Sequence, residues 1–207
     1  MSENLYPVLD GHADTLVRIS EEGGSLGGDS PHLHLDLPRL KAAGVTLQVL
    51  AICAGNRRQP YTWAKGIIEG WRREYTESQG KVIWIRSAAD FKTWAAGGKV
   101  GVLLALEGLE PLEGEPDRLE EFFALGIRML SLTWDGANPF ACGVGVPVDS
   151  GLTPLGRTII RMAEDLGMFL DLSHLGRESF KDVMAVVRGP VCVSHANVMP
   201  SITTGGI

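Results

Sequence analysis

Five side chains suited to holding a first-row metal ion each fall at the end of a short apolar run. They are His12 and Asp14 in Asp10-Gly11-His12-Ala13-Asp14, and Glu107 in Ala105-Leu106-Glu107-Gly108. His174 closes Asp171-Leu172-Ser173-His174, and His195 closes Val193-Ser194-His195. Imidazole nitrogen and carboxylate oxygen are ligands that suit zinc and its neighbours. Two ions close together need a shared carboxylate. Glu107 is the natural bridge, with His12 and Asp14 on one ion and His174 and His195 on the other. Such a pair polarises a carbonyl and lowers the pKa of a bridging water, giving a hydroxide nucleophile near neutral pH. The expected chemistry is therefore hydrolysis of an amide or a related bond, with a pair of zinc or related first-row metal ions as cofactors.

Each residue has a plainer reading when taken alone. A histidine at a strand end is more often a hydrogen-bonded structural residue than a ligand, Asp14 can cap a helix, and Glu107 can be a solvated loop carboxylate. Five such residues at four strand ends weaken the explanation by chance. His32 and His34 lie in Pro31-His32-Leu33-His34-Leu35-Asp36, away from any strand end, and are left out as ligands. Serine precedes histidine at Ser173-His174 and at Ser194-His195. Adjacent residues on a strand face opposite ways, which argues against a serine nucleophile activated by its neighbour. Gly143-Val144-Gly145 lacks the surrounding pattern of a phosphate or dinucleotide loop.

The elements that must position these groups read as an alternation. Strand-like runs rich in β-branched residues cover 8–14, 45–52, 81–86, 100–107, 127–134, 168–174 and 191–195. Helix-like stretches cover 61–77, 88–96, 117–125, 155–166 and 177–187. Apolar runs without a polar face imply strands buried on both sides, as in a parallel sheet covered by helices. Repeated βα units make either a (β/α)-barrel or an open doubly wound sheet. In a barrel the carboxyl ends of all strands converge on one rim, which would bring the five residues into one mouth. Gly44, Gly126 and Gly167 stand just before strands, where helices end in left-handed caps. Thr153-Pro154 reads as a helix cap followed by proline at the first helical position. The stretch 21–30 carries four glycines and reads as a loop.

Composition narrows the class. The 207 residues are 44% hydrophobic and 21% charged, as expected of a globular domain that buries a proper core. A formal charge of −6 argues against nucleic acid as a partner. There is no apolar run of about 18 residues to span a bilayer, and the amino terminus lacks the pattern of a signal peptide. Cys53, Cys142 and Cys192 are widely spaced and odd in number, unlike a disulfide framework or a zinc knuckle. A cytoplasmic location is expected.

These residues carry a resemblance that runs along nearly the whole chain. It comprises DGHAD at 10–14, HLDLPRLKAAGVTLQ at 34–48, ALEG at 105–108 and LTWDGANPFACG at 132–143. It continues through GLTPLGRTIIRMAEDLGMFLDLSH at 151–174 and VSHAN at 193–197. With these segments the chain resembles the membrane dipeptidase (renal dipeptidase) family of zinc metallopeptidases, in its bacterial type. HxD alone is shared by many barrel hydrolases; HxD with this glutamate, DLSH and SHxN in order is specific.

The resemblance implies a (β/α)8 barrel of the TIM type, with His12 and Asp14 on one zinc, Glu107 bridging, and His174 and His195 on the other. It implies dipeptides as substrates, often with a D-residue at the carboxyl side. Trp134 stands where mammalian members place a substrate-contacting histidine, so Trp134 is the expected substrate contact here. The family's substrate-binding arginine and eighth-strand aspartate lie beyond the matched segments. Residues 1–207 are accordingly expected to form one metallo-dependent hydrolase barrel domain of about seven βα units, incomplete at the C-terminus, with exposed sheet edges that invite self-association. Two alternatives stand beside the dipeptidase reading: a non-catalytic metal-binding fragment or pseudoenzyme of the family, and another two-metal barrel amidohydrolase.

Overall fold

A computed structural model describes residues 7–28 and 30–196. Asn197, the last residue of VSHAN, and Asp29, inside the glycine-rich stretch, lie outside the described residues. Among the described residues, seven strands form one sheet, and every pairing between them is parallel. They are β1 (Val8–Asp10), β2 (Val45–Cys53), β3 (Val82–Trp84), β4 (Val100–Glu107), β5 (Ile127–Ser131), β6 (Phe169–Asp171) and β7 (Val191–Cys192). The helices between them are α1 (Thr15–Glu22), α2 (Leu37–Ala42), α3 (Pro60–Glu77), α4 (Ala88–Ala95), α5 (Arg118–Leu125), α6 (Pro154–Leu166) and α7 (Arg177–Val186).

The sheet order is β1-β2-β4-β5-β6-β7, with β3 attached to β4 alone. A simple barrel would place β3 between β2 and β4. Here Leu47–Cys53 pair directly with Gly101–Glu107, and β3 pairs only with Val100–Val102. All eight residues of β4 are buried, so this strand is the centre of the sheet. The apolar alternation around it divides into two packing layers. Leu50, Ile52, Leu104, Leu106 and Leu130 face the helices, where Ile68, Trp71, Phe122 and Ile160 cover them. Leu47, Val49, Leu103, Ala105 and Met129 form a smaller cluster on the other face. The sheet curls around that second cluster into a half-barrel.

Local signals behave as their chemistry dictates. The Thr153 hydroxyl accepts from Gly156 N–H at 3.0 Å and starts α6, and Asp36 and Ser87 cap α2 and α4 in the same way. Gly126 and Gly167 end α5 and α6 with φ of 108° and 72°.

Two helices escape the periodicity reading. α1 begins directly after the DGHAD segment, and α2 is only six residues long. The strands are also shorter than their apolar runs. β1 stops at Asp10 because its carboxylate accepts from His12 N–H at 3.1 Å. β6 stops at Asp171, which accepts from Ser173 N–H at 3.0 Å. In both places an aspartate offers the backbone a local turn in competition with the ladder.

Candidate metal centre

The two turns decide how the ligand candidates are presented. His12 and Asp14 do not sit on a strand face, as the alternation predicts; Asp14 occupies the position that opens α1. They still meet, with His12 Nε2 3.7 Å from Asp14 Oδ2. Past Asp171 the chain bends so that His174 adopts φ of 66°, a left-handed backbone unusual for any residue but glycine. Such strained positions cluster where a side chain must be aimed.

Three of the five candidates, His12, His174 and His195, converge on a fourth, Glu107, which is 6% exposed, and the fifth, Asp14, reaches the group through His12. Its Oε2 lies 3.7 Å from His12 Nε2. Its Oε1 lies 2.8 Å from His174 Nε2 and 3.5 Å from His195 Nε2. The His174 and His195 Nε2 atoms are 2.7 Å apart, and the His12 and His195 rings stack with centroids 3.8 Å apart. β1 and β7 stand at opposite ends of the sheet order, so this stacking measures how far the sheet curls. Gly11 permits the approach: a β-carbon there would lie 3.2 Å from Ser194 Cβ.

The electrostatics are those of a cation site. His174 is pushed up to about 9 by the Glu107 carboxylate, against its burial and with help from Asp135. Burial works to depress His12, but Asp14 and Glu107 carry it above the usual imidazole range. His12 in turn holds Asp14 below the usual carboxylate range. His195 is lowered, first by burial and then by His12.

The donor set fits a metal. Zinc–nitrogen bonds are about 2.1 Å, so two ligand atoms on one ion lie up to ~4 Å apart. The His12, His174 and His195 Nε2 atoms lie 3.7, 2.8 and 3.5 Å from a Glu107 oxygen, inside that limit, and the His12, Glu107 and His195 ligand atoms all lie within 4.8 Å of one another. Cys53 pairs in register with Glu107, yet burial and that carboxylate push its thiol far above the usual range. Trp134, 36% exposed, lies next to Asp135 and against Gly55. His32 bonds to Gly23 O at 3.0 Å and has no part in the cluster.

Four participants are missing from the ligand pattern. Asp135 Oδ1 contacts His174 Nδ1 at 2.9 Å. Asp171, Ser173 and Ser194 form a hydrogen-bonded group behind His195. The expectation that Ser194 and His195 face apart fails here. The strand ends at Cys192, and beyond it Ser194 Oγ reaches His195 Nδ1 at 2.8 Å. Asp171 and both serines lie inside the quoted DLSH and VSHAN segments, but a ligand search passes over hydroxyls.

Comparison with known proteins adds an independent finding. The family described as membrane dipeptidase (peptidase family M19) matches residues 3–202. An uncharacterized dipeptidase of Schizosaccharomyces pombe is 34% identical over 216 residues, covering 93% of this chain and 52% of the relative. Among solved structures, dipeptidase AC, a metallopeptidase of family M19, superposes with a TM-score of 0.84 at 29% identity. That match covers 92% of this chain and 63% of dipeptidase AC. A metallopeptidase from Rhodobacter sphaeroides, solved with a phosphinate mimic of the dipeptide L-Ala-D-Ala, also reaches 0.84 at 28% identity. There 92% of this chain and 65% of the relative are covered. The chain thus spans about half to two thirds of these relatives.

Proposed function

This chain belongs to the membrane dipeptidase family of metallopeptidases, and we propose that it carries the zinc-binding face of a dipeptidase acting on the peptide bond of dipeptides. The observation that carries the reading is the division of Glu107: one carboxylate oxygen faces His12 and the other faces His174 and His195. His12 and Asp14 would hold one zinc ion, His174 and His195 the second, and Glu107 both. Bound there, two zinc ions supply Lewis acidity toward a carbonyl and lower the pKa of water toward neutrality.

The chain's own residues orient and insulate that chemistry. Glu107 is buried in the floor of the mouth on the central strand, where the apolar side chains of β2, β4 and β5 exclude water from beneath it. Trp134 stands beside the Asp135–His174 pair and offers an aromatic wall to a substrate side chain. The phosphinate dipeptide bound by the Rhodobacter sphaeroides relative supports a dipeptide with a D-residue at its carboxyl side. The free thiols of Cys53, Cys142 and Cys192 support a reducing, cytoplasmic setting. No helix of the described residues is long and apolar enough to cross a membrane.

The test has two stages. Zinc per folded chain is measured by elemental analysis after dialysis, with about two ions expected from a five-ligand site. L-Ala-D-Ala hydrolysis by the loaded protein is then followed by amino-acid release. Two ions with no turnover would identify a metal-binding module and overturn the enzyme reading; no zinc would overturn the site itself.

A further inference from the structure

Neither Ser173 nor Ser194 is a ligand candidate, yet both hydroxyls converge on one buried carboxylate. Asp171 is 6% exposed. Its Oδ1 accepts from Ser173 N–H at 3.0 Å, Ser173 Oγ–H at 2.7 Å and Ser194 N–H at 3.0 Å. Its Oδ2 accepts from Ser194 Oγ–H.

A hydroxyl has one proton to give. Because Ser194 gives its proton to Asp171, it can only accept from His195 Nδ1, 2.8 Å away. His195 Nδ1 must then carry the ring proton, and Nε2 keeps its lone pair. That Nε2 is the atom facing Glu107 Oε1 and His174 Nε2. Ser173 repeats the logic on the backbone: its proton goes to Asp171, and its oxygen accepts from His195 N–H at 3.2 Å.

We infer that Asp171 is a positioning residue that acts through the Ser194 hydroxyl to fix the tautomer and aim of His195. The inference deepens the zinc-site reading above and rests on it for its consequence, though the tautomer can be read without metal. The histidine on the other strand end is supported differently, since His174 Nδ1 meets the Asp135 carboxylate directly. Partners of this kind behind a ligand typically change metal affinity 10–100-fold.

The relay makes an unusual prediction for Asp171→Asn. Oδ1 takes three donors, so a carboxamide must place its oxygen there and its NH2 at the Oδ2 position. The NH2 would donate to Ser194 Oγ, and Ser194 would turn its own proton onto His195 Nδ1. The ring would then carry its hydrogen on Nε2, the ligand atom. A residue that merely braced the turn would not reverse a tautomer.

The experiment is long-range proton–nitrogen correlation NMR on zinc-free protein with 15N-labelled histidine. His195 is assigned by its loss in His195→Gln, and folding is monitored by circular dichroism. The unmodified protein should show His195 as the Nδ1–H form. Asp171→Asn should show the Nε2–H form, with roughly 10–100-fold weaker zinc binding in chelator competition. Should that variant fail to fold, Ser194→Ala must still abolish the preference for Nδ1–H. An Nε2–H ring in the unmodified protein, or an Nδ1–H ring surviving in a folded variant, overturns the relay even if two zinc ions bind. An Nδ1–H ring in a protein that binds no zinc leaves the relay standing and removes the functional reading instead.

Discussion

The two margins of the curled sheet supply the same ligand types but hold them in different ways. At the β1 margin, His12 and Asp14 sit on a turn, and the Asp14 side chain is 50% exposed. Among the described residues, His12 is the side-chain partner of Asp14. At the β6–β7 margin, His174 and His195 are each backed by a carboxylate, Asp135 directly and the buried Asp171 through the half-buried Ser194. Asp135 is as exposed as Asp14, but Asp171 is 6% exposed, and a hydrogen bond made in a water-excluded site is stronger than its exposed counterpart and costlier to break. The difference teaches that the two ions of the proposed pair should not be equivalent: the ion on His12 and Asp14 should exchange first.

The largest effect should come from the residue the margins share. Glu107→Ala should remove both ions, from about two zinc per chain to near none; retention of either by elemental analysis would show that the margins bind independently. Asp14→Ala should cost only the ion at the β1 margin, leaving about one zinc per chain. Loss of both there would erase the distinction between the margins.

Asp135→Asn should be milder than Asp171→Asn, near the tenfold end of the usual range in chelator competition, because Asp135 is half exposed and solvent screens it. A larger loss than at Asp171 would invert the comparison. Protons sharpen it further. His174, held up to about 9, is protonated at pH 7 in the zinc-free protein, so zinc uptake must expel that proton. Apparent zinc affinity should therefore rise with pH up to about 9 and level off above. Calorimetry in buffers of different ionisation enthalpy should register about one proton released from this margin. At the bottom of the scale, His32→Ala should leave zinc content unchanged, since His32 is occupied with Gly23 O.

Much of the fold is legible in the sequence. The seven apolar runs all contain strands, because a continuous β-branched run has few alternatives once both faces are buried, one under helices and the other inside the curl. The caps at Thr153, Gly126 and Gly167 act within a few residues and so can be read locally. The strand ends were less legible. Asp10 and Asp171 compete with the ladder for the backbone, and an apolar pattern records only the ladder. α2, at six residues, offers too few turns for a period to show.

The chain order alone determined which donors exist and that each lies at or soon after the carboxyl end of a strand, since side-chain chemistry and short-range periodicity are properties of neighbours along the sequence. Only the tertiary structure decided that the turn after β1 would meet the segment after β7, that Glu107 would divide its oxygens between His12 and the other two histidines, and that Ser194 would lie against its own neighbour. Those outcomes depend on how far a packed sheet curls and on where each proton of a buried network can go. Both are settled by contacts between residues far apart in the chain, such as Gly11 with Ser194 and Asp171 with Ser194.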